Sequence, residues 1–114
     1  MNKMKKCKIT VVGCTFLDDL AKEYASKALG ACELHSVGQV FYSNGWQKPL
    51  GFCDNAWKSM QEYVMTLAHG GRNIFNGGWV NDEKIAVVCC NDGLRPVSFK
   101  IEATDEDAEV FAAS

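Results

Sequence analysis

Trp57, Met60, Val64, Leu67 and Ala68 fall on one face of a helix that can begin at Asp54 and must stop at Gly70-Gly71. This stripe constrains the chain more than any other feature, because a helix with one apolar face is held by what it packs against. The surrounding segments read mostly as strands. Cys7, Ile9 and Val11 alternate with Lys8, Thr10 and Val12, a period-two pattern rich in β-branched residues. Gln39 to Tyr42 forms a second short run before the turn signal Ser43-Asn44-Gly45. Ile85 to Cys90 is a continuous apolar run, and Val97, Phe99 and Ile101 alternate with Ser98, Lys100 and Glu102. Asn91-Asp92-Gly93 between these two predicts a hairpin.

A further helix is expected where Asp18 and Asp19 offer N-caps and Leu20, Tyr24 and Ala28 recur at helical spacing, with Gly30 placed to end it. Four glycines between Gly70 and Asn81 make that stretch a loop, anchored by Phe75 and Trp79. The acidic tail from Thr104 to Ser114 is expected to fray or to form a marginal helix. The pattern predicts an α+β fold: about four short strands, including a C-terminal hairpin, with two amphipathic helices. One domain is expected over residues 1–114, with its core at about 6–102 and the tail at 103–114.

The chain has 114 residues, 47% of them hydrophobic and 23% charged, which suffices for one core and argues against disorder. A net charge of -2 supplies no field to gather a polyanion, so nucleic acid is disfavoured as a partner. Lys3, Lys5, Lys6 and Lys8 are read as a solvated arm. No apolar run approaches the ~20 residues that span a bilayer, and no signal-peptide core follows the lysines, so a cytoplasmic protein without membrane contact is expected. The partner is then an unidentified small molecule or protein.

Six cysteines are many for this length. Without an export signal they read as thiols or metal ligands in place of a disulfide framework. Cys7 and Cys14 are expected to pack as small hydrophobes. Cys32-x2-His35 can reach one metal from a single turn, and Cys53 and the Cys89-Cys90 pair can complete a zinc or iron site if the fold gathers them. Strand alternation sends Cys89 and Cys90 to opposite faces, so at most one serves such a site.

Cys53 carries a separate argument. It precedes Asp54, beside the positive end of the second helix, where a thiolate nucleophile or ligand is favoured. Arg95 lies across the hairpin from Cys90 and either tunes a thiol, holds an anion or pairs with Asp92. Arg72 is a second anion-binding candidate, and Trp79 beside it can cover a pocket. His69 is read as a helix-capping residue. No phosphate-cradling loop, dinucleotide fingerprint or nucleophile elbow is present.

The motifs Cys32-x2-His35-x2-Gly38-x2-Phe41, Gly51-Phe52-Cys53-x2-Ala56-Trp57, Gly70-Gly71 and Cys89-Cys90-x-Asp92, followed by Pro96-Val97-x-Phe99-x-Ile101, carry a resemblance. The chain resembles a family of small, largely uncharacterised bacterial and archaeal proteins, many from anaerobes. The resemblance implies that Cys32, His35, Cys53 and the Cys89-Cys90 pair belong to one pattern and that Cys7 and Cys14 stand outside it. Departures are Gln39, where an acidic residue is common, and Gly93-Leu94-Arg95, where relatives vary. The expectation is a metal or thiol site accessory to anaerobic metabolism. The alternatives are a small-molecule enzyme or binder using Cys53 with an arginine, and an interaction module with structural cysteines.

Overall fold

The structure, a computed structural model, describes residues 4–75 and 77–109. Its elements run β1 (Lys5–Cys14), α1 (Asp18–Tyr24), β2 (Val40–Ser43), α2 (Asp54–Ala68), β3 (Ile85–Cys89) and β4 (Val97–Asp107). The strands form one antiparallel sheet in the order β2-β1-β4-β3, an α+β arrangement as the patterning predicts. No helix among the described residues is long and apolar enough to cross a membrane.

The alternating residues register across the sheet. Ile9 sits opposite Phe41 on β2 and Ile101 on β4, and Ala86 and Val88 of β3 oppose Ile101 and Phe99. All of these occupy the face covered by α2, whose Ala56, Trp57, Met60, Val64, Leu67 and Ala68 are buried against Cys7, Ile9, Val11, Val97, Phe99 and Ile101. Apolar area removed from water on this one face holds the two layers together. The opposite face is half-exposed and mixed, with Lys8, Thr10, Lys100 and Glu102 beside the exposed Val40, Tyr42 and Val87.

A bulge between Val11 and Gly13 decides where the end of β1 points. Val11 and Cys14 are three apart and would lie on opposite faces of a regular strand. The extra residue pairs Cys14 with Val97 and returns it to the core side. Gly45 marks a second special position. Its φ of 100° favours glycine, and a Cβ there would stand 2.7 Å from the Cβ of Ala68.

Three expectations change. α1 ends at Tyr24, before Ala28 and Gly30; it buries only Ala21, while Leu20 and Tyr24 are exposed. Its seven residues have no apolar partner face, so propensity alone could not extend it. The beginning of the acidic tail continues β4 to Asp107, and Lys5 and Lys6 belong to β1 and are no free arm. Strand pairing brings the two segments together: Lys5 Nζ lies 2.6 Å from the Asp107 carboxylate, and Lys6 Nζ lies 3.4 Å from that of Glu106. The rest of the tail, 110–114, and Lys3 lie outside the described residues.

Candidate functional site

The site forms where three segments end together. β3 stops at Cys89 and its chain turns through 90–96 into β4, α2 begins at Asp54, and the connection from α1 to β2 passes alongside. The Ser59 hydroxyl, on the second turn of α2, donates to the carbonyl of Cys89 at 2.9 Å and ties helix to strand. Between these segments lies a pocket of about 290 Å³ lined by Cys32, Cys53 and Cys90, with Glu33, Leu34, Asn55, Asn91, Asp92 and Arg95 around them.

Each sulfur is placed differently. Cys53 is the N-cap of α2; its carbonyl accepts the first helical N–H, from Trp57 at 3.0 Å, and its side chain makes no capping bond. Cys90 follows β3, with its N–H donating to Val97 O at 3.0 Å and its Sγ accepting the Val97 N–H at 3.3 Å. Cys32 is half-buried in an irregular stretch: among the described residues, 26–34 make no hydrogen bond. Cys89 is exposed and does not line the pocket, so alternation divides the adjacent pair.

His35 stands behind the pocket. It is 3% exposed, and its ring sits 5.2–5.7 Å from the rings of Phe41, Phe52 and Phe99. The Cys53 N–H points at its Nε2 from 3.3 Å, so Nε2 is the acceptor and the proton sits on Nδ1, which donates to Gln39 Oε1 at 3.0 Å. Both ring nitrogens are thus engaged in hydrogen bonds. Gln39 Oε1 also accepts the Ser36 N–H at 3.1 Å, which folds the 35–39 turn around the imidazole.

Arg95 pairs with Asp92: its Nε donates to Oδ2 at 3.1 Å. The other oxygen, Oδ1, accepts the backbone N–H groups of Leu94 at 2.8 Å and Arg95 at 3.0 Å. These N–H bonds, Leu94's first, and the guanidinium hold the Asp92 carboxyl below its ordinary range. The pair is an Asx-type clasp that shapes the 90–96 turn, with its charges mutually cancelled.

Arg72 and Trp79 do not line this pocket. Arg72 donates to the carbonyls of Gly71 at 2.7 Å and Leu67 at 3.3 Å, satisfying the C-terminal end of α2. Trp79 is 75% exposed and stacks on Phe75 at 6.3 Å. His69 caps the same helix end, 2.8 Å from Met65 O. Cys7 is fully buried in the core, and Cys14 Sγ approaches the carbonyl of His35 at 3.4 Å.

Among the described residues no three His, Cys, Asp or Glu side chains stand close enough together to hold a metal ion. The thiols of Cys32, Cys53 and Cys90 surround a space in place of a point. Asn55 and Asn91 also line it; Asn91 carries only a turn signal in the sequence and Asn55 none, since an isolated surface amide has no motif.

Compared with protein-family models, curated proteins and solved structures, the chain matches none of them.

Proposed function

We propose that this chain is a thiol protein that takes a small molecule into the Cys32/Cys53/Cys90 pocket and acts on it through cysteine sulfur. The observation that carries this reading is that three cysteines from three separate segments line one space of about 290 Å³. That is near the lower end of the size of small-molecule sites and larger than a single ion requires. Leu34 supplies an apolar wall, and Asn55 and Asn91 supply amide donors and acceptors. Arg95 serves the turn by pairing through Nε with Asp92. Cys53 is the favoured nucleophile, because its sulfur sits at the N-terminal end of α2 and is not used as a cap.

Mutual occlusion tests the reading. Under anaerobic conditions a bulky maleimide that reacts at one of Cys32, Cys53 or Cys90 is expected to slow labelling of the other two, read by peptide mass spectrometry. Three independent labelling rates would overturn it. A zinc or iron site is the second reading, favoured by the three sulfur donors, and it requires them to close in around the ion. Metal analysis of anaerobically purified protein separates the two: bound metal released by chelator, with faster thiol labelling afterwards, favours the ion.

A further inference from the structure

We propose that the pocket performs thiol–disulfide exchange on a small uncharged disulfide, with Cys53 as the attacking sulfur and Cys32 as the resolving one. This inference rests on the thiol-pocket reading and names its substrate class and reaction.

The roles follow from how each sulfur is held. Cys53 is fixed through both its backbone polar groups: its N–H donates to the buried His35 and its carbonyl accepts the helical N–H of Trp57. Its Sγ is left without a capping bond, at the helix end that faces developing negative charge. Cys90 is pinned by two hydrogen bonds to Val97, one of them to its sulfur, and forms a wall of the pocket. Cys32 alone lies in a segment with no hydrogen bond among the described residues. Packed against the core but held by no such bond, it is the sulfur we assign to move, since closing a disulfide needs the two Cβ atoms at about 3.8 Å.

The pocket's charge selects the substrate. Arg95 and Asp92 neutralise one another, and the remaining charged group is the exposed Glu33. With Asp92 and Glu33 against the single Arg95, the lining is net negative and disfavours a carboxylate-bearing disulfide, whereas Leu34 and the amides of Asn55 and Asn91 suit a neutral one.

The reaction balances without another reagent. The Cys53 thiolate attacks one sulfur of the substrate R–S–S–R; the substrate S–S bond breaks, a Cys53–S–S–R bond forms, and RS⁻ leaves. The Cys32 thiolate then attacks the Cys53 sulfur and displaces the second RS⁻. The protein is oxidised by two electrons to a Cys32–Cys53 disulfide, the substrate is reduced to two thiols, and the protons given up by the cysteines end on them.

The test uses the reduced 114-residue chain with hydroxyethyl disulfide, quenched with acid at successive times and mapped by mass spectrometry. Wild type is expected to form a Cys32–Cys53 disulfide, and Cys32→Ser is expected to raise the level of the mixed disulfide at Cys53 about tenfold or more, because its resolving step is gone. Oxidised glutathione, which is anionic, is expected to react about tenfold more slowly than hydroxyethyl disulfide, allowing for leaving-group differences with a matched neutral reagent. A wild-type disulfide joining any other pair, or no Cys53 adduct in Cys32→Ser, overturns the proposal. The wild-type map decides the matter even if a variant fails to fold. If maleimide occlusion is seen and exchange is not, this inference fails while the pocket reading stands; if occlusion is absent, both fail.

Discussion

His35 Nε2 accepts the backbone N–H of Cys53 at 3.3 Å, so a buried imidazole holds the N-cap residue of the main helix from behind the pocket. The same ring packs among Phe41, Phe52 and Phe99, which ties the position of one pocket cysteine to the aromatic part of the core. His35→Ala therefore removes an acceptor and opens a cavity together. The expected loss is about 2–4 kcal/mol, read from the urea midpoint at unchanged slope. Cys53 labelling in the folded variant should also change rate, and an unaltered rate would show that His35 does not position it.

Asp92 ties pH to the shape of the pocket. Its carboxyl is lowered chiefly by the Leu94 N–H, so its contribution to stability is present above the ordinary carboxylate range and is lost as pH falls through the lowered value. Asp92→Ala is expected to loosen the 90–96 turn and speed Cys90 alkylation at neutral pH. Equal Cys90 rates in wild type and variant would count against the clasp.

Cys7 acts at the other end of the pH scale. Burial pushes its thiol from 9.0 up to about 11, with Arg72 partly opposing. A raised value in the fold favours the protonated thiol, so this contribution is complete below about pH 9 and is lost as pH climbs toward about 11. Cys7→Ala is expected to flatten that alkaline limb of the stability profile. Parallel profiles from the two proteins would assign the limb to other groups.

Gly45→Ala tests the approach of the turn after β2 to the end of α2. A Cβ would press on Ala68 from 2.7 Å at a φ of 100°, and the expected cost is about 1–3 kcal/mol in thermal or urea unfolding. A change within about 0.5 kcal/mol would mean that the turn moves aside freely.

Cys89→Ser supplies the contrast to the pocket cysteines. Cys89 is exposed and away from the pocket, so the substitution should change stability by no more than about 0.5 kcal/mol and leave Cys53 labelling unaltered. A slowed Cys53 would place Cys89 in the same chemistry.

Much of the architecture was legible because it is written in local periods. The stripe from Trp57 to Ala68 repeats at helical spacing, and Val97, Phe99 and Ile101 alternate, so each names its own buried face without knowing its partner. The first helix is shorter than its pattern predicts because Leu20 and Tyr24 keep helical spacing but meet nothing to bury them. The lysines of β1 read as a solvated arm and the acids ending β4 as a frayed or marginally helical tail; they lie about a hundred residues apart in the chain, and only strand pairing makes them neighbours.

The sequence by itself determined the two periodicities, hence an α+β fold, and through strand alternation that Cys89 and Cys90 face different ways. Only the tertiary structure decided which of them meets Cys32 and Cys53, because that depends on which sheet face α2 covers. It also set the direction of the His35 ring: a spacing of three residues puts thiol and imidazole within reach of one ion, but the ring's orientation is set by Gln39, the Cys53 N–H and three phenylalanines drawn from distant parts of the chain. Ligand spacing is a local property, and the direction in which a lone pair points is not.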